Sequence, residues 1–211
     1  SIAKRLKNKN MISIVDYGLG NQGSICNMIK KIGAQAKVAS TGDEILNAEK
    51  LILPGVGSFE TGMNHIRERN LLDSLQKKVL GEKIPILGIC LGMQLLTEFS
   101  EEGNVPGLGW IAGRTNRFPS RLGLKVPHMG WNSVTPVQKS TLTKGLPADT
   151  RFYFVHSYCV HVENAEDSIL KGHYGISFDA AIQHKNIFGA QFHPEKSHKF
   201  GMQFLKNFVS L

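Results

Sequence analysis

The chain has 211 residues, 41% apolar and 20% charged, the ordinary balance of a soluble globular protein long enough for one domain with a real core. Its formal charge of +8, from 25 basic and 17 acidic residues, is partly a property of one end: Lys4, Arg5, Lys7 and Lys9 lie in the first ten positions, and removing them halves it. No basic stripe interleaved with aromatics follows, so nucleic-acid binding is not expected, and no stretch approaches a membrane span. Three unpatterned cysteines, Cys26, Cys90 and Cys159, argue against a disulfide framework and for a reducing, cytoplasmic compartment. Met11-Ile12-Ser13-Ile14-Val15 after the basic start mimics an export signal, but Asp16 ends the apolar run too early and no small-residue cleavage site follows. Met11 reads as an original start, with residues 1–10 a basic extension or tag remnant.

Strand and helix alternate through the first hundred residues. Ile12–Asp16 is predicted as a strand, Ser24–Ile32 as a helix ended by Gly33, Ala36–Ala39 as a strand, Asp43–Ala48 as a short helix and Leu51–Leu53 as a strand closed by Pro54-Gly55. Ser58 caps an amphipathic segment running to about Val79, with Gly62 and Asn70 as weak points. Pro85–Ile89 is a short inner strand, and Leu91–Leu96 takes up helical spacing. Such alternation implies a parallel sheet covered on both faces. From Gly107 shorter β pieces are predicted at Gly109–Ile111, Trp131–Val137, Phe152–Val155, Tyr158–His161, Ile169–Tyr174, Ala180–Gln183 and Ile187–Gln191, with a last helix over Phe200–Val209. Without a linker between the halves, these pieces are expected to extend the same sheet antiparallel.

Cys90 lies between two glycines, in Gly88-Ile89-Cys90-Leu91-Gly92, where a buried strand becomes a helix. A lone cysteine is ordinarily a small buried hydrophobe; this context points instead to a nucleophile on a sharp turn. The turn aims the free amides of the helix start, beginning with Leu91, at a developing oxyanion, and the helix terminus favours thiolate. A thiol needs a base, and the base an orienting carboxylate. Gln191-Phe192-His193-Pro194-Glu195 offers both: Pro194 holds the chain extended after His193, so residues two apart face the same way and Glu195 reaches one imidazole nitrogen while the other faces Cys90. Leu53-Pro54-Gly55-Val56-Gly57 after a strand is a candidate second oxyanion donor, though Pro-Gly there is often only a turn.

Together, Gly-Ile-Cys-Leu-Gly-Met-Gln, Gln-Phe-His-Pro-Glu-Lys-Ser and Leu-Pro-Gly-Val-Gly resemble the class I (triad) glutamine amidotransferases. Three further runs, Asp16–Asn21, Val126–Asn132 and Phe152–Tyr158, narrow the resemblance to HisH, the glutaminase subunits of imidazole glycerol phosphate synthases, over about Met11 to Leu211. The resemblance implies a flavodoxin-like α/β/α domain over residues 11–211, with a mostly parallel central sheet and an antiparallel extension. It implies Cys90 as nucleophile, His193 as acid/base and Glu195 as its orienter, with oxyanion donors from Leu91 and the Val56-Gly57 loop. Gly55, Gln94, Ser157 and Tyr158 would hold glutamine. Hydrolysis through a cysteinyl thioester would deliver ammonia to a HisF-like (β/α)8 cyclase, with Asn21, Trp131, Tyr153 and Lys196 at that heterodimer interface. No cofactor is implied.

Other readings compete. Gly18-Leu19-Gly20-Asn21-Gln22-Gly23 fits a dinucleotide fingerprint, but the next strand ends near Ala39-Ser40 without the ribose-binding acid. Cys159 and His161 lack a second ligand pair and His128, His173 and His184 are scattered, so no metal site is expected; His156 falls in the implied glutamine pocket. Gly23-Ser24-Ile25, Lys31-Ile32-Gly33 and Ser197–Met202 resemble paralogues that supply ammonia to an N-acetyl sugar amidotransferase in surface-polysaccharide synthesis. A non-catalytic binding or scaffold module and a cysteine hydrolase of another amide are further alternatives, each opposed or tested through Cys90.

Overall fold

The computed structural model describes residues 11–211, and the extension expected over residues 1–10 lies outside the described residues. In chain order it runs β1 (Met11–Val15), α1 (Gln22–Lys31), β2 (Gln35–Ala39), α2 (Gly42–Leu46), β3 (Leu51–Leu53), α3 (Phe59–Glu68), α4 (Leu72–Gln76), β4 (Ile86–Ile89) and α5 (Leu91–Leu95). The second half contributes β5 (Phe99–Ser100), β6 (Val105–Pro106), β7 (Gly113–Arg117), β8 (His128–Ser133), β9 (Thr135–Pro136), β10 (Arg151–His156), β11 (Tyr158–Val162), β12 (Ser168–Tyr174), β13 (Ile176–His184), β14 (Ile187–Ala190) and α6 (His198–Val209).

The central strands lie parallel in the order β2-β1-β3-β4-β14, the flavodoxin-like order with β14 in the fifth place. Side chains alternate across a strand, so the apolar runs feed two cores. Ile12, Ile14, Ile52 and Leu87 pack with Ile25 and Ile29 of α1 and Phe204 and Phe208 of α6. Val15, Leu51, Leu53 and Ile86 pack with Ile45, Phe59, Met63, Ile66 and Leu75 from α2, α3 and α4. Beyond β14 the sheet continues antiparallel through β13, β11 and β7, with β12 also on β13.

Several expectations are corrected. The segment from Ser58 breaks at only one of its two expected weak points: Asn70, at φ 55°, ends α3, whereas Gly62 leaves it unbroken. Gly109–Ile111 is not a strand; its amides bond to the carbonyls of Leu96 and Thr97, and the strand begins at Gly113. Trp131–Val137 divides into the later part of β8 and β9. β8 and β10 do not extend the main sheet: they pair with each other as a separate ribbon, from His156 opposite His128 to Arg151 opposite Ser133. Phe152 and Phe154 of this ribbon are fully buried, Phe152 stacked on Phe192 at 3.7 Å between ring centroids.

Candidate active site

Residues 54–57 follow β3, Cys90 follows β4 and residues 191–195 follow β14, all at the carboxyl ends of parallel strands, where doubly wound sheets open their ligand crevice. Cys90 sits at φ 54°, ψ −111°, a conformation that a non-glycine residue keeps only when its surroundings enforce it. They do. A Cβ on Gly92 would lie 1.8 Å from the Leu53 carbonyl oxygen, and one on Gly88 would lie 2.5 Å from that of Gly92, so both glycines are required by contact. The Cys90 amide donates to Ala190 O at 2.7 Å, tying the turn to β14.

Cys90 is 7% exposed and lines a cavity of about 340 Å³ shared with Val56, Gly57, Leu91, Gln94, Ser157 and Tyr158. The cavity brings together most of the expected substrate residues; Gly55 lies behind it, in a narrow second cleft with Asn21, His193, Glu195 and Lys196. A larger hollow of about 600 Å³, lined by Val134, Val137 and Leu146, lies elsewhere and holds none of Cys90, His193 and Glu195.

His193 Nδ1 and Glu195 Oε1 are 2.8 Å apart, both side chains 4% exposed. The route differs from the expected extended run, since Pro194–Lys196 forms one 3-10 turn. The His193 amide donates to Tyr153 O at 2.9 Å, and its carbonyl accepts from the buried Ser197 hydroxyl at 2.7 Å, so β10 fixes the ring's position. Burial disfavours charge on His193, but the Cys90 sulfur and the Glu195 carboxylate outweigh it and push its pKa up to about 10. Nε2 makes no aligned hydrogen bond among the described residues, a looseness common before substrate arrives.

One expectation fails in detail. The Leu91 amide is not free: it donates to Gly55 O at 3.3 Å, so a carbonyl fills the place where an oxyanion would be received. Tyr17 holds the same loop, its buried hydroxyl donating to Pro54 O at 2.5 Å. The Gln94 amide is also committed, donating to Tyr158 O and to Gln191 Oε1, each at 3.1 Å.

Three features escaped the sequence reading. Gln191, fully buried, donates from Nε2 to Cys90 Sγ at 3.7 Å; its two-residue spacing from His193 could have flagged it. Glu102 lines the Cys90 cavity, its pKa raised by burial against the Phe59 amide and Arg117; in Glu101-Glu102-Gly103 it reads only as a solvated charge. His156 and His128 form a buried pair, His128 Nδ1 to His156 Nε2 at 2.9 Å, with His156 Nδ1 donating to Tyr158 O at 2.7 Å.

The residues expected at a partner interface lie outside the pocket. Asn21 caps α1, accepting from the Ser24 amide, and is exposed, as is Lys196. Trp131 is 43% exposed, parallel to the His198 ring at 5.5 Å and edge-on to Tyr153 at 6.3 Å. Among the described residues no group of three His, Cys, Asp or Glu could hold a metal ion, and no helix is long and apolar enough to cross a membrane.

The family model for glutamine amidotransferase class-I matches residues 13–211. Imidazole glycerol phosphate synthase subunit HisH 2 of Pseudomonas aeruginosa is 50% identical over 95% of this chain and all of its own. A HisH 2 of Methanococcus maripaludis is 52% identical over 94% of this chain and 98% of its own, and a HisH of Bdellovibrio bacteriovorus is 48% identical over 95% and 100%. Among solved structures, PurLQS of Thermotoga maritima superimposes with a TM-score of 0.76 at 18% identity, covering 94% of this chain and 97% of that one. The nearly full-length match to the family model and to these relatives shows that the chain belongs to the class I glutamine amidotransferases.

Proposed function

We propose that residues 11–211 form the glutaminase subunit of an imidazole glycerol phosphate synthase of histidine biosynthesis, acting in the cytoplasm, with residues 1–10 outside that unit. The observation that carries this is Cys90, held on an enforced turn in a pocket wall, beside a buried histidine already paired to a carboxylate. The Cys90 thiolate attacks the side-chain amide carbon of glutamine. His193, charged at neutral pH beside the sulfur and Glu195, passes its Nε2 proton to the departing nitrogen and ammonia leaves. Neutral His193 then takes a proton from water as the oxygen attacks the thioester, releasing glutamate and the thiolate; Glu195 stays ionised and holds the ring. Within the pocket, Glu102 is suited to the substrate's α-ammonium, with Gln94, Ser157 and Tyr158 around the chain.

The Gly55 carbonyl on the Leu91 amide supports a low resting activity. Turning the Gly55–Val56 peptide would withdraw that carbonyl and present the Val56 amide beside that of Leu91, and losing one oxyanion donor usually costs about 2.7–4 kcal/mol of transition-state stabilisation. A HisF-like (β/α)8 cyclase, docking on Trp131, Tyr153, Lys196 and Asn21, is proposed as the partner that brings this about and receives the ammonia. Glutamate release is expected to be slow for the chain alone and to rise on adding the cyclase, while Cys90→Ala abolishes it and still binds the cyclase. Hydrolysis persisting in Cys90→Ala would remove Cys90 from its role.

A second acceptor keeps the same chemistry. The run Ser197–Met202, which resembles the sugar-amidating branch, places His198 against Trp131 on the exposed face. Co-purification of an N-acetyl sugar amidotransferase instead of a cyclase barrel would assign the chain to that branch.

A further inference from the structure

We propose that Gln191 is a further catalytic residue: its side-chain amide donates to the Cys90 sulfur and favours the anion that attacks glutamine. The inference rests on the reading of Cys90 as nucleophile and adds a donor that the cysteine, histidine and glutamate set does not contain. Gln191 is fully buried, so its two N–H groups and its carbonyl must find partners inside the protein. Nε2 faces Cys90 Sγ at 3.7 Å and Oε1 accepts from Gln94 Nε2 at 3.1 Å.

The orientation of this amide follows from the network around it. Gln94 Nε2 also donates to Tyr158 O, which accepts from His156 Nδ1 as well, so the Gln94 amide is itself held with its nitrogen toward Gln191. Flipping Gln191 would set N–H against N–H at Gln94 and oxygen against sulfur at Cys90, losing both bonds at once. The donor end therefore faces the nucleophile.

The chemical consequence is differential. Besides His193, whose charge the sulfur shares, the Val155 carbonyl lies 3.8 Å from the sulfur; it can only accept and so favours the protonated thiol. The Gln191 N–H favours the opposite state, because a bond to a neutral sulfur is weak and one to a thiolate is charge-assisted. It strengthens when the thiol proton leaves, weakens when sulfur becomes a neutral thioester, and strengthens again as glutamate departs and the thiolate returns. It thus aids both the attacking and the leaving role of one atom. Gln191 is absent from the residues lining the cavity, so glutamine binding should not depend on it.

The test uses Gln191→Glu, which keeps an acceptor for Gln94 and deletes the donor to sulfur, and Gln191→Met, which deletes both. Iodoacetamide alkylation of Cys90 is followed against pH, with Cys90→Ala as the blank for Cys26 and Cys159. Both variants are expected to move the alkylation profile about one pH unit upward and to lower kcat about tenfold, with KM for glutamine held within about twofold. A folded Gln191→Glu with the parental profile and kcat would overturn the proposal. If neither variant folds, the unmutated protein decides. The side-chain amide resonances of Gln191 must shift with pH in step with the ultraviolet absorbance of the Cys90 thiolate, and resonances indifferent to it overturn the proposal. Hydrolysis surviving in Cys90→Ala defeats the nucleophile reading itself. An inactive Cys90→Ala beside Gln191 variants of parental alkylation profile defeats only the role given to Gln191.

Discussion

Acidification from pH 7 to pH 5 is expected to destabilise the chain through the buried pair His128 and His156. The carbonyl of Tyr158 can only accept, so His156 Nδ1 carries a proton; its Nε2 then accepts from His128 Nδ1, and His128 Nε2 accepts from Asn132 Nδ2 at 3.2 Å. This chain is complete when both rings are neutral. Burial lowers the His156 pKa from 6.5 to about 3, with His128 and His193 acting in the same direction against the bond to Tyr158 O, and burial lowers that of His128 to about 4. A base whose folded pKa is depressed binds protons more readily in the unfolded chain. Its contribution is whole above pH 6.5 and is lost as pH falls toward 3. For His156 alone the loss between pH 7 and pH 5 is about 2 kcal/mol, a fall in Tm of roughly 4–8 °C for a chain of this length. His193, with its raised pKa, acts in the opposite sense over this window, but it is common to parent and variant and drops out of the comparison. Urea unfolding of parent and His156→Gln at both pH values is the assay. The variant should lose about 2 kcal/mol less than the parent on acidification, whatever its stability at pH 7. Equal pH dependence in the two proteins would falsify the claim that His156 is buried neutral.

Gly92→Ala should cost about 3 kcal/mol or more in thermal unfolding, because its Cβ would fall 1.8 Å from Leu53 O; Gly81→Ala, with open space at that position, should leave Tm unchanged or slightly higher. An equally stable Gly92→Ala would mean that β3 and the cysteine turn are not pressed together. Glu102→Gln should raise KM for glutamine about tenfold with kcat nearly unchanged, the loss of one charged contact to the ammonium group. A fall in kcat without a change in KM would take Glu102 out of the substrate pocket.

How much was legible in advance follows from the range of the interactions concerned. The parallel half was readable because each strand is a short apolar run between turn residues, and because Gly88, Cys90 and Gly92 state their geometry within five positions. The pairing of His193 with Glu195 was likewise local, although a 3-10 turn accomplishes it where an extended segment was expected. What escaped depends on partners far away in the chain. Nothing near Leu91 reveals that the Gly55 carbonyl occupies its amide, since that depends on how β3 and β4 stand side by side. The β8–β10 ribbon alternates buried and exposed residues much as a sheet strand does, so pattern alone could not tell that it leaves the main sheet. That departure matters for function. Because β10 is free of the sheet, Tyr153 can grip the His193 backbone while His156, further along the same strand, reaches the Tyr158 carbonyl at the pocket wall. The partner strand β8 exposes Met129 and Trp131 on one face and sends His128 inward to His156. The same two-stranded element therefore contacts His193, the wall of the Cys90 pocket and the exposed face proposed for a partner, which is the physical basis for expecting events at Trp131 to be felt at Cys90.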